Sequence, residues 1–579
     1  MNLLRVKFNH LKINGKTGFS APPLHACAKN MVCQRPGRLM EGGSRTPKSV
    51  RWIPLFSSPT HGQAFLWVVA MWALAIFIPG TSAAVSLRAP AAVSTNPKAL
   101  AETGGLTQEP ASPNGSAVAG PGVVGRLLEA SGTSVTGYLR NETAYRYINP
   151  VSFSKVLTVI RMETTTPIGD RMELRLVPRV SYDSVYDLED VDTIHPRHGP
   201  TTILTTEQTP GLVDQLTADN VRLVEVVQVE KELREWFLDI HFAASDLRVG
   251  RQIVRWGVVE GARVTDEVNP LDFKEFILRD VVDRYVPLMM AKYDYYLPNS
   301  SMQLLWIPEV QPHLPAPVGT EFEQFQYLPG LRVPRSGISN AEYGARYSFS
   351  LVGADLSLSY LDTWDDFPAA FRSVRGVGAT AEFGVTPTVD FVPAPPRLHI
   401  PGISFSRALG PFIWSGEAAY VNNKVFGTFL AKNVVLPPEA LLGSLQRDYY
   451  KWAANVDFTY FGIDFSLQFL RATIIDYHPA IIADRVDTVH SAFIRKTFLD
   501  NIVTAQMLAI HFINDAEWVI RPRLDVLMTQ KVKLSVGADV MAGDIADTGP
   551  RGEPLPGQFH FAGFFQNSSR MYVELSYQF

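Results

Sequence analysis

Few residue patterns in this chain could do covalent chemistry, and each lacks a necessary neighbour. Ser152-Phe153-Ser154-Lys155 reads Ser-x-x-Lys, the spacing that sets an amine beside a nucleophilic hydroxyl. Such a pair works on a helix, whereas these residues open a strand-like stretch and the partner motifs do not follow. Gly15-Lys16-Thr17 matches the end of a phosphate-binding loop, but His10 stands where its first glycine belongs. There is no His-Glu-x-x-His, and the 12 histidines show no metal-ligand spacing. Ser491 with His490 or His511 could serve a hydrolase, a site that geometry rather than spacing defines. Asp539, Asp544 and Asp547 offer oxygens to a calcium ion, although an ordinary solvated loop explains them as well. The expectation is no enzyme, no metal and no cofactor.

The remaining charged residues follow a period of two. Lys531, Lys533, Ser535, Gly537 and Asp539 alternate with Val532, Leu534, Val536, Ala538 and Val540. Glu517, Arg521, Arg523 and Asp525 alternate with Trp518, Ile520, Leu524, Val526 and Met528. Lys451, Asn455, Asp457 and Thr459 alternate with Trp452, Ala454, Val456, Phe458 and Tyr460. Successive side chains of a strand point to opposite faces, so each segment has one apolar and one charged face. A soluble β-sandwich would show the same alternation. Segments of about ten residues instead suit tilted membrane strands, and Tyr449, Tyr460, Trp518 and Tyr577 at their ends suit an aromatic girdle.

Composition is compatible with a barrel. The 579 residues carry a net charge of −4, without the basic field of a nucleic-acid binder. Charged residues are only 19% and aromatics 11%. A mean hydropathy of +0.02 excludes a bundle of membrane helices, which needs repeated apolar runs of about 20 residues.

One uncharged apolar run, residues 64–78, precedes Pro79-Gly80 and the small residues Thr81 to Ala84. It reads as the core of an export signal, with a membrane anchor as the alternative. Arg45, Lys48 and Arg51 would supply the positive lead-in if translation begins at Met40 or Met31. Cys27 and Cys33 both precede the run, so the exported chain is expected to hold no disulfide. The expected organisation is a presequence and signal over 1–84, an Ala/Pro/Gly-rich periplasmic tether over 85–134, and a barrel over 135–579.

About nineteen strand candidates follow, of which a single-chain barrel uses an even number. The expected fold is an all-β antiparallel transmembrane barrel of about 16–18 strands. The weakest candidates are 375–384, rich in glycine, and the short 302–307. The chain closes on an alternating strand with Met571, Val573, Leu575, Tyr577 and Phe579 on one face. This ending resembles the last strand of Gram-negative outer-membrane barrels. The resemblance implies an outer-membrane location, lipid as surroundings, and Val573, Leu575, Tyr577 and Phe579 as a signal for the assembly machinery.

A second resemblance lies in residues 247–296. Gly250-Arg251-Gln252 with Trp256-Gly257, followed by Asn269-Pro270-x-Asp272, resembles a family of proteobacterial outer-membrane proteins filed as a domain of unknown function. It implies location and porin-like architecture; no substrate follows, although a role in uptake of hydrophobic or aromatic compounds is weakly suggested. From the residues themselves, 233–243 and 247–256 are expected to form a hairpin. Arg251 and Arg255 share one face, and a guanidinium in lipid costs about 2–4 kcal/mol at the midplane, so that face is expected to be luminal, opposite Asp239.

Residues 258–284 are rich in both charge signs and cannot lie in hydrocarbon. Asn269 to Asp272 predicts a turn capping a short helix over 273–278. The segment is read as a luminal plug or constriction, with residues 308–334 a second candidate and a surface loop the alternative. Asp239, Arg251, Arg255, Lys451, Asp457, Arg521, Arg523, Asp525, Lys531, Lys533 and Asp539 are the expected pore-lining residues. Three function classes remain open: passive or weakly selective uptake of small solutes, uptake of hydrophobic compounds, and a non-conducting structural barrel.

Overall fold

A computed structural model describes residues 131–194, 228–317, 320–322, 332–367, 369–378, 386–428, 443–544, 546–548 and 554–579. The expected signal segment, both cysteines and the tether as far as residue 130 lie outside them.

Strands β1 (Ser134–Arg146), β2 (Ser152–Ile168), β3 (Met172–Asp183), β4 (Val229–His241), β5 (Ser245–Gln252) and β6 (Leu288–Leu297) come first. Then follow β7 (Ser300–Ile307), β8 (Glu342–Leu351), β9 (Ala354–Trp364), β10 (Ala369–Gly378), β11 (Thr386–Ala394) and β12 (Arg397–Leu409). The remainder are β13 (Phe412–Gly427), β14 (Ser444–Tyr460), β15 (Ile463–Ile474), β16 (Val486–Phe498), β17 (Val503–Phe512), β18 (Glu517–Leu527), β19 (Val532–Ala542), β20 (Ala546–Thr548), β21 (Pro554–Phe559) and β22 (Arg570–Gln578).

Eighteen of them form one antiparallel sheet. It closes because β1 pairs with β2 on one side and with β22 on the other, Leu139 opposite both Ile160 and Tyr577. The weak candidate 302–307 is a true wall strand, β7. Of the glycine-rich 375–384, residues 379–384 lie outside the described residues and 375–378 belong to β10, which among the described residues pairs only with β11, while β9 continues the wall by pairing directly with β12. Likewise β20 and β21 form a separate hairpin, and β19 pairs with β22.

Burial is inverted relative to a soluble protein. Leu139, Ile160, Val249, Leu358, Ile403 and Leu575 are exposed on the outer face, with Trp236, Trp306, Trp414 and Tyr450 among the exposed aromatics. Arg146, Arg179, Asp539 and Arg570 are buried inside. An exposed apolar belt of this extent on one closed sheet is a lipid-facing surface, which excludes the β-sandwich alternative. The chain is an outer-membrane, porin-like β-barrel.

One rim carries tight turns, among them 169–171, 298–299, 352–353, 410–411 and 461–462. Val352 and Gly353, like Phe461 and Gly462, have positive φ at both positions, the hairpin geometry that matches strand twist. The other rim carries the long connections, including 253–287, 308–341 and 365–396. Outer-membrane barrels turn their short connections to the periplasm, so the long ones lie on the outer side.

Candidate functional site

The long connection 253–287 does not stay at the rim. Its first limb packs Val254, Trp256, Val259, Val264 and Val268 on an apolar inner wall that includes Leu305, Leu361, Ile400 and Ala419. Glu417 of β13, buried among small residues, accepts hydrogen bonds from the backbone N–H groups of Val258, Val259 and Thr265 at 2.5, 2.6 and 3.0 Å. The Thr265 hydroxyl donates to the same carboxylate at 2.7 Å. A buried loop has no ladder to satisfy its backbone, and one carboxylate does so here.

The second limb meets the opposite side of the ladder. Lys155 of β2 binds Glu275 at 2.5 Å, and Arg140 of β1 binds Asp280 and Asp283. Lys274 reaches Glu230 of β4 at 2.5 Å, and Arg234 donates to the carbonyls of Val282 and Tyr285. Arg521 of β18 donates to the Leu278 carbonyl at 2.9 Å. Residues 253–287 therefore span the lumen from β13 and β14 to β1, β2, β4 and β18.

Residues of the family-like motif form the skeleton of this span. Gly250 has φ 141°, and a Cβ there would stand 2.3 Å from the Trp236 carbonyl. Asn269 accepts from Val254 N–H at 2.8 Å and donates to the carbonyls of Gln252 and Val286, tying both ends of the segment together. Trp256 donates from its indole to Gln303 at 2.6 Å, and its backbone N–H reaches Asp266. A Cβ on Gly257 would crowd Glu417 at 3.1 Å. The Pro270 carbonyl accepts from Val286 N–H, and Asp272 takes Lys274 N–H and the Arg279 guanidinium.

Burial pushes the carboxyls of Glu267, Glu275 and Asp283 up, but the cations beside them more than offset this. Arg263 and Lys451 hold Glu267 at about 2, and Arg140 with Arg179 holds Asp283 at about 2. Lys155, Arg279 and Arg570 hold Glu275 well below the usual range. These groups stay ionised: Glu267 adds an ion pair to the first limb, and Glu275 and Asp283 pin the second by charge.

Between that second limb and the wall lies a narrow polar cleft of about 20 Å³, room for about one water. It is lined by the six cations Arg140, Lys155, Arg179, Arg279, Arg521 and Arg523 against the four carboxylates Glu142, Glu275, Asp280 and Glu574.

Several expected residues fall on this inner face. Arg521 pairs with Asp539 at 2.8 Å, Arg523 pairs with Asp525 and Glu574, and Lys451 pairs with Glu267. Asp457 accepts from Asn455 at 2.8 Å, and Lys533 lies one alternation from buried Ser535. Others require correction. Asp239 pairs with Arg248, not Arg251 or Arg255, at 2.6 Å. Arg251 stands opposite Trp236 and on the face of Val249, both exposed outward. It is tolerated there because it ends the strand, where Glu309 neutralises it at 2.8 Å. Arg255 is not on the strand, since β5 stops at Gln252 and Val254 N–H goes to Asn269 instead of a neighbour. It lies 5.2 Å over the Tyr285 ring. Lys531 is in the exposed turn before β19. The helix expected over 273–278 is a turn, reversed by the positive φ of Phe276, and the helical turn is Val281–Arg284.

The catalytic patterns are also resolved. Lys155 is held by Glu142 and Glu275. Ser491 donates to Gln468, while His490 and His511 join an outer row, with His511 4.1 Å from Trp518. Asp539 is taken up by Arg521 and Arg570. Glu417, Arg140 and Glu275 escaped the sequence reading. The one available signal for Glu417 was a lone carboxylate among Ser415, Gly416, Ala418 and Ala419.

The chain is similar in fold to solved structures of an outer membrane protein and of Occ proteins. The outer membrane protein opdK of Pseudomonas aeruginosa is similar at 9% identity, covering 77% of this chain and 98% of that one, with a TM-score of 0.41. OccK2 (OpdF) of P. aeruginosa, solved with glucuronate, gives 9%, 77%, 97% and 0.41. OccAB4 of Acinetobacter baumannii gives 10%, 77%, 98% and 0.39. At that distance the fold assignment rests on this chain's own ladder. No curated protein matches the sequence. A family model does match, over residues 69–490, and the chain belongs to that family, the protein of unknown function DUF1302.

Proposed function

We propose that this barrel is an outer-membrane channel for small solutes, with residues 253–287 as its constriction and the narrow polar cleft beside the second limb as the place where that constriction widens to pass them. The observation that carries the reading is the uneven suspension of the segment. One side is sealed by apolar packing, and the other is left polar and lined by side chains of both signs. A polar solute exchanges water for such groups at little cost. Six cations against four carboxylates favour anions mildly. Arg521, Arg523, Asp525, Lys451, Asp457, Lys533, Asp539 and Asp239 belong to the lining. Export by the segment over 64–78, and recognition of Val573, Leu575, Tyr577 and Phe579 by the assembly machinery, complete the proposal.

Planar-bilayer recording of the reconstituted protein tests it. Deleting residues 262–279 should raise single-channel conductance severalfold and weaken the anion preference. A barrel that conducts neither before nor after the deletion would be the structural scaffold instead.

A further inference from the structure

Toward the long connections, the first limb borders a second cavity, of about 220 Å³. Its floor is apolar, from Leu398 and Ile400 of β12 and Val421 of β13. One wall is aromatic: His313 meets Phe273 edge-on at 5.2 Å and Phe367 at 4.7 Å. Phe367 is about half exposed and forms the mouth. An apolar cavity of roughly 150 Å³ accommodates benzene, so there is room for one ring and a short substituent.

The polar groups are specific. Lys424 is engaged by Asp365 at 2.6 Å and Lys451 by Glu267. Arg263 uses Nη2 on Glu267 and Asp366, while its Nη1 is buried without a partner. Nδ1 of His313 accepts from Leu271 N–H at 2.8 Å, and burial keeps the ring neutral, so its other nitrogen is a donor. Asp366 faces the same space and is taken up by Arg263 Nη2. With Asp365 and Glu267 committed to the two lysines and Asp366 to Arg263 Nη2, what the described lining lacks is an acceptor for Arg263 Nη1 and the second His313 nitrogen.

We infer that this cavity binds a compact ring compound bearing an oxygen acceptor, the ring against Phe273 and Phe367 and the oxygen toward Arg263. This extends the channel reading by giving the solute a holding site before the cleft, but binding itself does not require conduction.

Isothermal titration of the micelle-held barrel tests it with benzyl alcohol and benzoate, against ethanol and acetate as ringless controls. At least one ring compound should bind saturably and the controls should not. Val421→Phe, which fills the floor, should weaken binding about tenfold or more. Phe367→Ala, at the exposed mouth where folding is not at stake, should weaken it about threefold to tenfold. Absence of saturable binding by both ring compounds, equal binding of the controls, or wild-type affinity in the folded Phe367→Ala barrel would overturn the inference. Conductance without binding removes only this site; binding without conductance removes only the channel.

Discussion

From Val254 to Val268 the crossing segment lies on an apolar wall with one buried carboxylate gathering its backbone, whereas from Asp272 to Asp283 it is staked by ion pairs to β1, β2, β4 and β22. Both limbs are held firmly, but they respond to different forces. Apolar burial is indifferent to salt and pH, at about 25 cal/mol per Å². Ion pairs are titrated, though burial limits their screening by salt, and losing one partner leaves the other charge uncompensated. The first limb therefore fixes where the segment hangs, and the second decides what a passing solute meets.

The largest effect should come from breaking the first limb at the buried carboxylate that gathers its backbone. Glu417→Ala strands three backbone donors and a hydroxyl, each costing about 1–3 kcal/mol when buried without a partner. The wall itself should survive, since backbone groups make the ladders of β13 with β12 and β14 and the Glu417 side chain takes no part in them. We expect a severalfold rise in conductance, approaching that of the deletion, with new protease cleavage within 257–267. A folded Glu417→Ala barrel with wild-type conductance would show that the first limb is not the hinge.

Lys155→Met attacks the charged limb and should do less. Glu275 keeps Arg279 and Arg570 as partners at 3.7 and 3.5 Å, so the limb loosens without detaching. Conductance should change by less than about twofold, while the loss of one cation from the cleft shifts the reversal potential toward cations.

Acid should act later and more weakly. The carboxyls of Asp283 and Glu267 are held at about 2, below their unfolded values near 4. A depressed folded value means that the stabilisation is present above the unfolded range and is lost as pH falls toward about 2. Conductance should be flat from pH 7 to 5 and rise only below about pH 4. A step between pH 7 and 5 would implicate other groups.

The wall was legible in the sequence because alternation is local: Lys451 and Trp452 declare their faces whatever surrounds them. The constriction was legible only as a segment that lipid could not hold. Its fastenings join residues more than a hundred positions apart, such as Glu417 to Val258 and Lys155 to Glu275, and no spacing rule reaches that far. Locality was no guide at the weak candidate 375–384, of which 375–378 belong to β10, whose partner among the described residues is β11 alone. Arg251 was misplaced because the lipid penalty holds at the midplane, and this residue ends its strand within reach of Glu309. The family-like motif stood out as unusual residues, while its work, fastening 253–287 to itself, needed coordinates.

The smallest expected effect sharpens the comparison from outside it. Lys531 carries the same charge as Arg521 and Arg523, but it sits in the exposed turn between β18 and β19, at the short-turn rim and away from both limbs. Exposed charges beyond a Debye length of about 8 Å are largely screened at physiological salt. Lys531→Gln should therefore leave conductance and reversal potential unchanged within error, where Arg523→Gln, stripping Asp525 and Glu574 of their partner, shifts both. If the two substitutions moved selectivity equally, net charge rather than position at the cleft would govern permeation, and the distinction between the limbs would lose its functional meaning.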